Sequence, residues 1–133
     1  TLGIGEQDFQ CEELMDNVSV VSYLPYKEYI PQMDYVIHHG GAGIFYQCII
    51  YGKPALILPH DYDQYDYAVR GLEAGIALTA KREDTEAIGR AFDELLAREN
   101  WPDLKNLRRA AQAYQPTDIL EREIHRLLGD KEK

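Results

Sequence analysis

Tyr35-Val36-Ile37-His38-His39-Gly40-Gly41-Ala42-Gly43-Ile44 is the stretch that decides the fold of this chain. A short apolar, β-branched run at Tyr35–His38 ends in a glycine cluster, and a helical pattern follows from Ile44 to Tyr51, stopping at Gly52. A strand handed over to a helix through glycines is the repeating unit of a parallel sheet, whose neighbouring strands need helical crossovers. At the carboxyl end of such a strand, a glycine-rich turn lets backbone N–H groups approach an anion closely. The helix that follows aims its positive end at the same point, so phosphate can be held without a lysine.

The alternation extends in both directions. Val18–Tyr23, bounded by Asp16-Asn17 and Pro25, reads as a strand, and Ala55–Leu58 between Pro54 and Pro59 reads as another. Tyr35–His38 and Ala55–Leu58 are expected to be buried on both faces, as central parallel strands are. A short strand is expected at Ile76–Leu78 after Gly75, and the end of one more at Leu2–Ile4. Helices are expected over Gln64–Ala74, from a Thr85 cap with Ile88, Phe92, Leu95 and Leu96 on one face, over Leu104–Ala113, and from Pro116 onward. In the last, Leu120, Ile124, Leu127 and Leu128 align into a stripe that reads as core. The class is therefore α/β with a Rossmann-like parallel sheet. A complete doubly wound domain usually has about five or six strands. With fewer clear ones, and Thr1 rather than Met at its start, residues 1–133 are expected to be the later part of such a domain, with the helical tail covering one face.

Charge narrows the function. The chain carries 14 Lys+Arg against 23 Asp+Glu, a net −9. Residues 1–80 hold three basic groups, Lys27, Lys53 and Arg70, against eleven acidic ones. Such a surface repels nucleic-acid phosphates and anionic lipid, which excludes sequence-independent nucleic-acid or membrane-surface binding. No apolar run approaches the ~18–20 residues of a membrane span. Cys11 and Cys48 lack the number and spacing of a disulfide framework or a zinc site, so both are expected to be reduced and Cys48 buried, in a cytoplasmic setting. If the glycine turn holds a diphosphate, main-chain dipoles and an imidazole must do so in place of a cationic patch.

Counting from His39, the spacing runs His-x-Gly-x-Gly, then Gln47, Gly52, Pro54, Pro59 and Asp63-Gln64. This series resembles the donor-binding signature of family 1, GT-B-fold nucleotide-sugar glycosyltransferases: His-x-Gly, Glu eight residues after the His, Gly-x-Pro, then Pro-x-x-x-Asp-Gln. The segment from Val18 through Tyr23-Leu24-Pro25 and Pro31 to His38-His39 resembles the UDP-glycosyltransferase-like, bacterial macrolide- and antibiotic-modifying branch. Gly71–Leu78 and Pro116–Leu128 resemble it more loosely, and the likeness covers about residues 18–128.

The resemblance implies the later part of the C-terminal, donor-binding domain of a GT-B fold, with the N-terminal acceptor domain outside this chain. It also implies that the final helix crosses back toward that domain, so that part of its Leu120–Leu128 stripe would be an inter-domain contact instead of core. The donor would be a UDP- or TDP-sugar bound as substrate, with no cofactor and no metal. Hexosyl transfer to a small acceptor would be inverting, with a base from the acceptor domain or a partner chain, so this chain would contribute no catalytic residue and be inactive alone. By the same resemblance His39 and the backbone at Gly41, Gly43 and Ile44 would hold the diphosphate. Tyr23 and Leu24 would meet the base, Gln47 the ribose, and Asp63 and Gln64 the donor sugar. Gln47 replaces the usual Glu, which should weaken ribose binding by about 1 kcal/mol. Ile44 stands where Ser or Thr is common, leaving only its N–H. A separate donor-binding subunit completed by a partner chain, or a GT-B-type sugar-nucleotide epimerase or phosphorylase, are the alternative readings.

Other features have simpler explanations. His38 points the opposite way from His39 along the strand and reads as structural or rim; His60 and His125 receive no role. Asp61, Asp63 and Asp66 read as a charge cluster at a helix start rather than a metal site. Among the ten tyrosines, Tyr62, Tyr65 and Tyr67 fit either a sugar cleft or an ordinary amphipathic surface.

Overall fold

The structure, a computed structural model, describes residues 2–3 and 16–129. In chain order these form β1 (Leu2–Gly3), β2 (Val20–Val21), α1 (Tyr26–Tyr29) running into a single tight turn at Ile30–Gln32, β3 (Val36–His38), α2 (Ala42–Tyr51), β4 (Ala55–Ile57), α3 (Tyr62–Glu73), β5 (Ala77–Thr79), α4 (Thr85–Ala97), α5 (Pro102–Ala113) and α6 (Pro116–Leu128). β3, β4 and β5 form a parallel sheet in that order, while β1 and β2 pair in parallel separately. No helix among the described residues is long and apolar enough to cross a membrane.

Register sorts the side chains. His38, Ile57 and Thr79 lie side by side on one face of the sheet, and Ile37, Leu56 and Leu78 on the other. α2 and α3 cover the first face. A Cβ added to Gly71 of α3 would lie 3.2 Å from both the Ala77 Cβ and the Phe45 ring and 3.4 Å from Ile57, so a side chain there would push these neighbours back by a few tenths of an ångström. α4 packs across β4 and β5 and buries Leu95 fully.

α5 docks on α2. Gln112 Nε2 donates to the Ile50 carbonyl at 3.1 Å, and the Arg108 stem lies over Gly52, which closes α2 with a φ of 65°. At the α4–α5 junction Trp101 is buried, donates through Nε1 to the Arg98 carbonyl at 3.1 Å, and carries the Arg98 guanidinium 4.1 Å from its ring centroid.

Several expectations are corrected. The Val18–Tyr23 strand is confined to Val20–Val21, the two residues paired with β1. β4 is buried throughout, but Ile37 of β3 is 50% exposed, because β3 is an edge strand of the three-stranded sheet and α4 packs mainly across β4 and β5. The α4 cap is Asp84, whose Oδ1 accepts the Ala87 N–H at 2.9 Å, and Thr85 is the first helical residue. Phe92 and Leu96 of that helix remain partly exposed. α2, α3 and α5 each begin two residues earlier than the sequence pattern indicates, with Pro102 inside the first turn of α5. The largest departure is α6. None of its residues is buried, so the Leu120–Leu128 stripe is not core of this chain, and the helical tail does not cover a sheet face to its end. Cys48 is buried and free, its thiol pushed up to about 12 by burial; Cys11 and Ile4 lie outside the described residues.

Candidate functional site

The carboxyl ends of β3 and β4 open onto the same edge, and each runs through a short turn into a helix start. The ladder continues one step past the strands, where Leu58 N–H donates to the His38 carbonyl at 2.9 Å. The two turns touch at Gly40. It adopts φ +95°, and a Cβ there would lie 3.0 Å from both the Gln64 carbonyl of α3 and the Ile57 Cγ2 of β4. Glycine is thus required both by conformation and by space.

Beyond Gly40 the chain enters α2 with no side chain capping its start. The Phe45 N–H donates to the Gly41 carbonyl at 3.0 Å, which leaves the N–H groups of Ala42, Gly43 and Ile44 as the open donors of the helix end. Gly43 is exposed, and a Cβ there would meet nothing within 4 Å. Gly41 has an ordinary extended conformation, but a Cβ on it would fall 2.6 Å from His39 Nε2. The exposed His39 ring therefore lies back over Gly41, beside the open amides. This assembly presents hydrogen-bond donors and the positive end of a helix to solvent, an arrangement suited to an anion.

Gln47 is on the next turn of α2, its Oε1 buried and without a hydrogen-bond partner among the described residues. Across the Gly40 contact, Gln64 Oε1 accepts the His60 N–H at 2.9 Å and the Asp61 N–H at 3.1 Å, which secures the start of α3. Among the described residues the Gln64 amide nitrogen has no partner and can donate, and Asp63 beside it is exposed. Asp66 pairs with Arg70 at 2.7 Å, so the Asp61–Asp66 run is a helix-start charge cluster with one member already paired. Tyr23 is 79% exposed and, with Leu24, leads into α1, which packs against α2. The structure thus groups His39, Gly41, Gly43, Ile44 and Gln47 along one helix start and sets Asp63 and Gln64 at the adjoining one.

His38, expected to be structural or rim, is structural: it is buried rather than at the rim, and the structure gives it a definite task. It is 7% exposed, and its Nδ1 accepts the Gly40 N–H at 2.9 Å. Burial, reinforced by the neighbouring His39, pushes its pKa down to about 4, so the ring is neutral with its proton on Nε2. A histidine two residues before a glycine at a strand end was the available signal.

A parallel α/β sheet with a glycine turn and an uncapped helix start at one strand end places the chain among Rossmann-like domains, as the sequence pattern indicates. Comparison with known proteins then gives the family: the model for the Erythromycin biosynthesis protein CIII-like, C-terminal domain matches residues 4–125, and the chain belongs to that family. It is 40% identical over 65 residues to the 3-alpha-mycarosylerythronolide B desosaminyl transferase of Saccharopolyspora erythraea, covering 47% of this chain and 15% of that protein. Among solved structures, the glycotransferase of kitacinnamycin superposes with a TM-score of 0.81 at 26% identity, over 93% of this chain and 34% of that one. Glycosyltransferase VinC, solved in complex with DTDP, superposes at 0.68 with 30% identity, over 77% and 27%. The fold is that of GT-B glycosyltransferase C-terminal domains. The chain spans about a third or less of the length of the relatives it matches.

Proposed function

We propose that residues 1–133 are the donor-binding part of a glycosyltransferase that moves a hexosyl group from a UDP- or TDP-sugar to a small-molecule acceptor, with inversion and without a metal or cofactor. The observation that carries this reading is the uncapped start of α2, with open N–H groups at Ala42, Gly43 and Ile44 and the His39 ring alongside. The VinC likeness supports a nucleoside diphosphate there, since that glycosyltransferase was solved in complex with DTDP.

In this reading the diphosphate lies on Gly41, Gly43 and Ile44 with His39 against it. The exposed Tyr23 ring and Leu24 receive the base, Gln47 the ribose, and Asp63 and the Gln64 amide the sugar hydroxyls. A base from the acceptor domain deprotonates the acceptor hydroxyl as it attacks the anomeric carbon. The bond to the diphosphate breaks, and the charge developing on that leaving group falls at the helix start. The acceptor domain, on the same polypeptide or on a partner chain, covers the apolar face of α6. The setting is cytoplasmic, in keeping with the free, buried Cys48.

The test is a titration of UDP and TDP into the full-length protein, followed by NMR at His39 and Tyr23. One of the two should bind, and His39→Ala should remove the response. An unchanged response in that variant would remove the diphosphate assignment, and sugar transfer by residues 1–133 alone would contradict the division of labour.

A further inference from the structure

The geometry points to His38 as the positioning residue of the glycine turn: its Nδ1 holds the Gly40 N–H and so sets the direction in which Gly41–Ile44 present their amides. The inference rests on the donor-binding reading and extends it to a residue that touches no ligand.

His38 occupies a core position, 7% exposed, on the same sheet face as Ile57. An apolar side chain would fill that position without the cost of desolvating an imidazole. The ring also leaves Nε2 buried with no partner among the described residues, a state that folded proteins rarely tolerate. Among the described residues, the one polar bond gained in exchange is the 2.9 Å contact from Gly40 to Nδ1. Gly40 is where that bond has most leverage. Its left-handed φ turns the chain out of β3, and it is wedged against the Gln64 carbonyl and Ile57, so its orientation bears on the starts of both α2 and α3. Burial keeps the ring neutral, so Nδ1 remains an acceptor. Two adjacent histidines thereby divide the work: exposed His39 faces the ligand, and buried His38 fixes the turn beneath it.

The experiment uses the full-length protein and whichever of TDP or UDP the wild type binds. His38→Gln keeps a polar side chain but removes the acceptor at the Nδ1 position, whereas His38→Asn returns an oxygen close to it. His38→Gln should raise the Kd for the diphosphate roughly tenfold while leaving that of the bare nucleoside unchanged, and His38→Asn should recover most of the loss. Equal diphosphate affinity in wild type and a folded His38→Gln would overturn the proposal. So would a parallel loss for diphosphate and nucleoside, or a folded His38→Asn that recovers nothing. If His38→Gln does not fold, the wild type still decides: a through-hydrogen-bond coupling between the Gly40 amide and His38 Nδ1 is expected, and its absence overturns the assignment. A wild type that binds neither diphosphate overturns the donor reading itself, whatever the state of that bond.

Discussion

The strand ends at β3 and β4 and the final helix α6 follow sequence patterns of similar clarity, yet the chain settles them differently. At the strand ends Leu56 and Ile57 are fully buried, Gly40 is wedged between two elements, and His38 and Gln64 each hold backbone N–H groups. α6 has well-spaced apolar residues but buries none of them, and Leu127 is 74% exposed. The first region is determined by contacts within the chain. In the second, the apolar face of the helix is covered by none of the described residues.

The contrast is broken most directly by truncating a leucine on the determined side. Leu56→Ala removes a fully buried side chain from the central strand and should cost about 2–5 kcal/mol in denaturant unfolding. A loss near zero would mean that the strand ends are as loosely held as α6.

Acid tests the same side through His38. Its folded pKa of about 4 lies below the ordinary 6.5, so between those values the unfolded chain binds the extra proton. Its contribution is fully in place above pH 6.5 and is lost as pH falls toward 4, by about 3 kcal/mol in total. Removing the imidazole in His38→Asn should flatten that part of the stability–pH curve. A slope identical to wild type would show that His38 is not held neutral by the fold.

Two glycines three residues apart sharpen the comparison further. Gly40→Ala must place a side chain at positive φ against the Gln64 backbone, and should cost at least about 1–2 kcal/mol. Gly43→Ala enters open space in a helical first turn and should raise stability by up to about 0.5–1 kcal/mol. On the proposed function it should also weaken nucleoside diphosphate binding, since the methyl group stands beside the open amides. Thermal melts paired with calorimetry read both signs.

What was legible in the sequence follows the same division. The β/α alternation and the glycine stops at Gly52 and Gly75 are local signals, and the helices end where those residues indicate. The short α1 and the turn at Ile30–Gln32 escaped, being too brief for periodicity to register. In the candidate site the clustering of His39 with Gly41–Ile44 was readable from contiguity. Contact between the turns at Gly40 and Gln64 was not, because it depends on the register of β3 against β4. The role of Gln64 in holding the start of α3 was hidden for a related reason, since its spacing suits both a capping residue and a ligand-binding amide. Burial was least legible: an apolar stripe reports an amphipathic helix, and it says nothing about whether the covering surface belongs to the same chain.

That last point yields the smallest effect and the most informative one. In residues 1–133 alone, Leu127→Ala alters a side chain already in water, and stability should change by less than ~0.5 kcal/mol. On the proposed reading the acceptor domain covers α6 in the assembled protein, where the same substitution removes a contact between domains and should cost roughly 1–3 kcal/mol. Measured in both contexts, the difference isolates the docking of α6 from any intrinsic helix effect, because the helix propensity of the two side chains enters both measurements equally. A null result in both contexts would mean that α6 faces solvent in the whole protein too, and the acceptor domain would then have to dock elsewhere.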